Sequence, residues 1–258
     1  MRSCLIMGAG RSGTSMLAGA FQDCGYFTGE SHWEPTDSNP KGYFEDRDVN
    51  LVNEDLLDSV APWRPRGHIG RSWPFHRERT QWGQRWLASL SPEAQVEPTT
   101  ALSSRIEALT SRRPYLLKDP RFSYTLDAWR PHLAPDTVFV CMFRDPRRVV
   151  SSIMTICQSE WYLHALDMTV ERALSYWIAI YSYILQRQFR EVEPWLFAEY
   201  DEVLSGRGLT HISNTLGADA DFSFVDESLR RSPPQGELPI RAQALYETLL
   251  DLAGRKYR

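Results

Sequence analysis

Apolar residues fall along this chain in two patterns: short unbroken runs, and longer stretches where they recur every three or four positions. Residues 2–8, 114–118, 137–143 and 195–198 are runs of the first kind and read as strands. Thr137 to Phe143 is apolar almost throughout, as a strand buried on both faces should be. Gly25-Tyr26-Phe27-Thr28 reads as a further short strand, second in order. The other pattern predicts helices over 13–23, 46–58, 77–90, 99–111, 123–129, 147–157, 169–191 and 239–253. In the helix over 46–58, Val49, Val52, Leu56 and Leu57 form one stripe. Residues 31–42 (rich in Pro, Asp, Ser and Asn) and the aperiodic 59–76 read as loops. Strands separated by helices predict an α/β fold, a central parallel β-sheet flanked by helices on both faces. No repeat, low-complexity tract or linker divides the chain, so 1–258 reads as one domain.

Composition narrows the function classes. Apolar residues make up 42% of 258, enough for a proper core. A net charge of −4 provides no global basic field, which argues against nucleic acid as a partner. Cys4, Cys24, Cys141 and Cys157 are widely spaced, lie in apolar contexts and form no CxxC pair, so they read as reduced. The chain opens almost directly on a strand, and no run reaches the roughly 18 apolar residues of a membrane span. A cytoplasmic protein without a membrane span is the expectation.

The candidate chemistry sits where strands end. In parallel α/β sheets ligands bind beyond the carboxyl ends of the strands. After the first strand come Gly8, Gly10 and Gly13, with Arg11, Ser12, Thr14 and Ser15 among and after them, and then a helix. Strand, glycine loop, helix turns backbone N–H groups onto a phosphate. This is not a Walker A loop, whose pattern G-x-x-x-x-G-K-[ST] requires lysine where Thr14 stands. Lys118-Asp119-Pro120-Arg121 follows the middle strand, and Arg144-Asp145-Pro146-Arg147-Arg148 the strongest one. Cations are unfavourable at helix starts, so several there together point to an anion between them. The three clusters predict a shared polyanion site.

These residues resemble the P-loop sulfotransferases, of bacterial type, which take a sulfuryl group from 3′-phosphoadenosine-5′-phosphosulfate (PAPS). The resemblance covers most of the chain. Arg11-Ser12-Gly13-Thr14-Ser15 is similar to the 5′-phosphosulfate loop of the carbohydrate and tyrosylprotein members. Arg144 and Ser152 have the family's 3′-phosphate spacing. Lys118-Asp119-Pro120 is similar to the tyrosylprotein motif that carries an active-site lysine. Asn39-Pro40-Lys41-Gly42-Tyr43-Phe44-Glu45 resembles a segment of bacterial members, and Tyr200-Asp201-Glu202-Val203-Leu204 the family's turn after the last strand.

The resemblance implies a P-loop fold, transfer to a hydroxyl of a small-molecule, carbohydrate or natural-product acceptor, and adenosine 3′,5′-bisphosphate as product, with no metal. It assigns Gly10, Arg11, Ser12, Gly13, Thr14, Ser15, Arg144 and Ser152 to the donor, and Arg11 and Lys118 to the leaving oxygen. The acceptor's proton needs a base. Glu30, in Thr28-Gly29-Glu30, is the first choice, Glu45 the second and His32 the third. The histidine that cytosolic aryl and alcohol members place two residues after the strand-end lysine is Pro120 here, and their C-terminal Arg-Lys-Gly motif is absent. Leu229-Arg230-Arg231-Ser232 stands as a possible replacement. A P-loop nucleoside or small-molecule kinase and a non-catalytic nucleotide-binding module remain the alternatives.

Nine tryptophans is high for this length. Trp63, Trp73, Trp82 and Trp86 fall in or beside the 59–76 loop, interleaved with Arg64, Arg66, Arg71 and Arg77. They and Trp161-Tyr162 are candidates either for acceptor contact or for ordinary packing. Oligomeric state is not readable from the sequence.

Overall fold

The computed structural model describes residues 1–61, 63–65, 77–225 and 236–254, with the backbone alone at 63–65 and 77–79. Its strands are β1 (Cys4–Met7), β2 (Trp63–Pro65), β3 (Arg77–Arg79), β4 (Leu116–Lys118), β5 (Val138–Phe143) and β6 (Trp195–Glu199). Four of them form one parallel sheet in the order β4-β1-β5-β6. Ile6 pairs with Lys118 and Met7 with Cys141, while Phe143 pairs with Glu199. This register brings the carboxyl ends of β1, β4 and β5 together, with the start of the segment after β6 beside them.

Side-chain alternation divides the core. Leu5, Met7, Leu117, Phe139, Cys141 and Phe143 face one layer, which contains α2 (Arg47–Asp58), α4 (Phe122–Trp129), α5 (Pro146–Ser159), α6 (Val170–Tyr183) and α9 (Ile240–Gly254). Helix α3 (Thr100–Thr110) adds Ile106 to that layer. Cys4, Ile6, Leu116, Val138, Val140, Met142, Leu196 and Ala198 face the other layer, with α1 (Thr14–Ala20), α7 (Tyr200–Leu204) and α8 (Arg207–Leu216). Every residue of β1, β4, β5 and β6 is buried. Each fully buried large aliphatic or aromatic side chain is worth roughly 1.5–3 kcal/mol over leaving it exposed. All four cysteines carry free thiols.

Local chemistry ends the strands. After Lys118 the chain keeps one more bond, from Asp119 N–H to the Ile6 carbonyl (3.2 Å), and then meets Pro120, which has no N–H to give. After Phe143, Asp145 caps α5 by accepting the Arg147 N–H (2.8 Å), and Pro146 takes the first helical turn.

The structure departs from the predicted elements in several places. Residues 25–28 supply only a single parallel bridge, Phe27 to Tyr115. The helix predicted over 77–90 is β3, paired antiparallel with β2, followed by one 3-10 turn at Arg85–Leu87. Gly83, at φ 81°, breaks the helical path between them. The helix over 169–191 stops at Tyr183 and ends in a wider turn at Ile184–Gln188. Helices α7 and α8 lie outside the elements predicted from periodicity, and β2 falls within the loop predicted over 59–76.

Candidate active site

The loop from Gly8 to Gly13 packs too tightly for side chains at each of its three glycines. A Cβ on Gly8 would lie 2.1 Å from the Met142 carbonyl oxygen. One on Gly13, which sits at φ 92°, would meet the Tyr200 ring at 2.5 Å. Arg11 has a side chain and still takes φ 72°, a conformation that costs roughly 1–3 kcal/mol. Surrounding hydrogen bonds hold it there. Ser12 N–H returns to the Ala9 carbonyl at 3.2 Å. Gly8 N–H donates to Ser123 Oγ (3.2 Å), Ala9 N–H to Tyr181 Oη (3.2 Å) and Gly10 N–H to Tyr176 Oη (2.7 Å). Burial pushes both tyrosine hydroxyls above the ordinary phenol range, so they stay protonated and neutral. Tyr181 spends its own proton on the Met142 carbonyl at 2.8 Å. The first half of the loop is thus consumed in holding its shape. Helix α1 then starts at Thr14 without a side-chain cap.

Three cations surround this loop. Arg11 Nε donates to Ser152 Oγ (2.9 Å) on α5, and its Nη2 to the Ser38 carbonyl (3.2 Å). Arg144, at the end of β5, lies flat over Tyr200, its Cζ 4.0 Å from the ring centroid. Lys118, at the end of β4, is buried; its ammonium donates to Ser15 Oγ (3.1 Å) and Glu45 Oε1 (2.5 Å). Glu45 is the residue before the cap of α2, not part of the helix. Asp46 does the capping, with one oxygen on the Asp48 and Val49 N–H groups and the other on those of Glu30 and Ser31.

Two cavities meet at the loop. The smaller, about 180 Å³, has Arg11, Thr14, Lys41, Arg144 and Ser152 on its walls, with rings from Phe44, Tyr200 and Phe224. The larger, about 490 Å³, lies over Glu45, Lys118 and Arg121 and is predominantly apolar. Arg11, Thr14, Ser15 and Asn39 line both. A basic, hydroxyl-lined pocket with aromatic walls suits an anionic ligand bearing a flat ring.

Residues 4–204 match the family model described as the sulfotransferase family. The chain belongs to that family. Two solved structures share the fold of this sulfotransferase. The sulfotransferase domain of the olefin synthase of Synechococcus PCC 7002 is 15% identical with a TM-score of 0.54; the match covers 97% of this chain and 94% of that one. The sulfotransferase domain from the curacin biosynthetic pathway is 12% identical with a TM-score of 0.51, over 97% and 98%. A comparison with curated proteins finds no match.

In this sulfotransferase the residues predicted from sequence separate into two groups. Gly10, Arg11, Thr14, Ser15, Glu45 and Lys118 gather on the larger cavity, and Arg11, Gly13, Thr14, Ser15, Arg144 and Ser152 on the smaller. Ser12 is fully buried and bonds Tyr181 at 3.0 Å, behind the loop. Glu30 and His32 are not brought to either cavity. The Glu30 side chain is 69% exposed and pairs with Arg112, which stacks on Phe27. What fixes the Gly29-Glu30 turn is Asp46, which a Cβ on Gly29 would strike at 2.3 Å. His32 is exposed, its Nε2 2.9 Å from the Thr28 carbonyl. Trp82, Trp86, Trp161 and Tyr162 do line the larger cavity. Trp73, Arg66, Arg71 and Leu229–Ser232 lie outside the described residues, as do the side chains of Trp63, Arg64 and Arg77.

Sequence reasoning missed the support behind Lys118 and Glu45. Arg121 Nε donates to Glu54 Oε1 (2.7 Å) and its Nη1 to Asp119 Oδ1 (3.0 Å), all three groups buried. Burial alone would disfavour the Arg121 charge, but Asp119, Glu54 and Glu45 hold its proton more firmly than usual. Asn50 and Asn53 donate to the other Asp119 oxygen at 2.7 and 2.9 Å. Arg85 Nη1 closes the set on Glu54 at 3.1 Å. Buried charges are costly unless paired and hydrogen-bonded, and here each one is. Trp33, Phe44, Tyr200 and Phe224 also join the cavity walls. Only Phe44 and Tyr200 lay in segments marked by motif.

Proposed function

We propose that this sulfotransferase moves a sulfuryl group from PAPS to a hydroxyl of a small acceptor in the larger cavity, with residues 1–258 acting as one domain. The observation that carries this reading is the chain of contacts Ser15–Lys118–Glu45, which leads from the wall shared by the two cavities to a carboxylate in the larger one. Arg11 and the N–H groups of Gly13, Thr14 and Ser15 would hold the 5′-phosphosulfate end. Arg144 and Ser152 would hold the 3′-phosphate, with Phe44, Tyr200 and Phe224 against the base. The larger cavity would leave the sulfur open to the acceptor from one side.

By analogy with phosphoryl transfer the transition state is loose, so the protein chiefly aligns the partners and stabilises the leaving oxygen. Glu45 accepts the acceptor's hydroxyl proton while a new S–O bond forms. Lys118 and Arg11 stabilise the electron pair left on the 5′-phosphate oxygen as the old S–O bond breaks. The contact between Glu45 and Lys118 couples the two events. Once protonated, Glu45 no longer neutralises Lys118, and the ammonium is released to the leaving oxygen as charge grows there. Glu45 takes precedence over Glu30 in this reading, because Glu30 points away into solvent.

Calorimetry tests the donor. Adenosine 3′,5′-bisphosphate should bind tightly without magnesium. ATP binding only with magnesium would overturn the assignment and favour a kinase.

A further inference from the structure

The walls of the larger cavity carry information about the acceptor's body, apart from its hydroxyl. Trp33, Trp82, Trp86, Trp161, Tyr43 and Tyr162 all line it. Trp33 and Trp82 lie with ring centroids 6.0 Å apart, tilted by 59°. Trp161 is 81% exposed and Trp82 48% exposed. These are large apolar rings left at the surface, on the rim of a cavity. Trp86 is anchored deeper, edge-on to Tyr176, and would be struck at 2.5 Å by a Cβ on Gly10. The rings therefore run from the solvent rim down to the glycine loop.

Several of the polar groups among them are engaged with one another. Trp33 Nε1 donates to Asn50 Oδ1 at 2.6 Å, and Gln84 Nε2 to the Tyr162 carbonyl at 2.6 Å. Glu160 Oε1 accepts from Ser38 Oγ at 2.6 Å, and Tyr43 Oη shares a hydrogen bond with Thr36 Oγ1 at 2.7 Å. Glu54 is committed to Arg121 and Arg85. A polyhydroxylated ligand entering here would compete with these bonds for its partners, and the predominantly apolar walls offer its other hydroxyls few. An apolar ring system makes no such demand and gains from contact with the aromatic faces.

The geometry points to an acceptor with an apolar, ring-bearing body and a single reacting hydroxyl, a phenol-like or polycyclic alcohol, in preference to a carbohydrate. The cavity volume of about 490 Å³ lies within the range of sites for drug-sized molecules. This inference rests on the larger cavity being the acceptor site. The hydroxyl would lie toward Glu45 and Lys118, and the rings between Trp86 and the rim formed by Trp82 and Trp161. In the transfer the acceptor O–H proton goes to Glu45, its oxygen gains the sulfuryl group from PAPS, and the phosphate oxygen keeps the electron pair of the broken bond.

The test uses 2-naphthol and methyl β-galactoside as probes of the whole enzyme. Each is titrated with and without adenosine 3′,5′-bisphosphate while indole fluorescence is followed, and each is then assayed with PAPS. The naphthol should quench and saturate, and should bind about tenfold more weakly in Trp82→Ala and Trp161→Ala. Both variants should retain wild-type affinity for adenosine 3′,5′-bisphosphate, and turnover should show the loss in KM and not in kcat. Failure of the naphthol to bind in either titration, or a galactoside with the higher kcat/KM, would overturn the inference. If adenosine 3′,5′-bisphosphate itself fails to bind, the donor assignment falls; naphthol quenching without nucleotide still decides what the cavity takes.

Discussion

Lys118 and Glu45 meet in a part-buried ion pair, ammonium to carboxylate at 2.5 Å, at the place where the carboxyl end of β4 faces the segment before α2. With Glu45 proposed as both the base and the counterion of the leaving-group cation, two glutamates should behave differently. Glu45→Gln should keep affinity for adenosine 3′,5′-bisphosphate and lower turnover by roughly 10²–10⁴. Glu30→Gln should leave turnover near wild type and alter stability by no more than about 1 kcal/mol, since an exposed ion pair contributes little. Single-turnover kinetics on both variants decide the matter. A silent Glu45→Gln would remove Glu45 from the chemistry.

Arg144→Ala separates the two ends of the donor. The fold should persist, because Arg144, although buried, lies over Tyr200 on the wall of the smaller cavity. Binding of PAPS should weaken by roughly 1.5–3 kcal/mol, the worth of a charge-assisted hydrogen bond. Adenosine 5′-phosphosulfate, which lacks the 3′-phosphate, should lose much less. Equal losses for both ligands would show that Arg144 does not read that phosphate.

Helix α6 supports the glycine loop through tyrosine hydroxyls, and Tyr176→Phe removes the acceptor of the Gly10 N–H. An unsatisfied buried donor costs roughly 1–3 kcal/mol, visible in urea unfolding. Affinity for adenosine 3′,5′-bisphosphate should fall as well, because the loop loses a tether. Tyr183→Phe is the control: its hydroxyl bonds the Ala94 carbonyl at 2.8 Å, away from the loop. Similar destabilisation with unchanged nucleotide affinity is expected there. Equal affinity losses in the two variants would show that the effect is merely structural.

Glu199 closes β6 and caps α7, where burial and the neighbouring Asp201 push its carboxyl up to about 7 against the pull of two N–H donors. A carboxyl raised in the folded state stabilises the protein while protonated. That contribution is complete below the unfolded value near 4.5 and is lost as pH rises through about 7. Over this window wild type should lose roughly 3 kcal/mol relative to Glu199→Gln. Denaturant melts of the pair at several pH values measure the difference. A constant gap between pH 4.5 and pH 8 would refute the shift.

Much of the scaffold was legible because β1, β4 and β5 are apolar runs cut off by glycine or by Asp-Pro pairs such as Asp119-Pro120, and β6 is an apolar run that ends at Glu199. Periodicity served less well around Arg77–Leu90, where β3 takes its form from pairing with β2, a contact that local pattern does not encode. Helix α2 shows a different limit. The stripe of Val49, Val52, Leu56 and Leu57 suggests a polar face turned to water, yet Asn50, Asn53 and Glu54 are buried against Asp119, Arg121 and Arg85. A polar helix face reads the same whether it meets solvent or a charged interior. The choice between Glu30 and Glu45 depended on side-chain direction, which Asp46 sets by taking both backbone N–H groups of the Glu30 turn.

Among the described residues, the two cavities share only Arg11, Thr14, Ser15 and Asn39. Rim walls such as Trp82 and Trp161 can therefore be exchanged without disturbing Arg144, Tyr200 or Phe224 on the far side. The fold behaves as a modular chassis. One half is the proposed seat of the donor, while the other is open to redesign by substitution at exposed rim positions, 34–36, 81–82 and 161. A library confined to those positions should change which molecules are modified and leave the handling of the reagent intact.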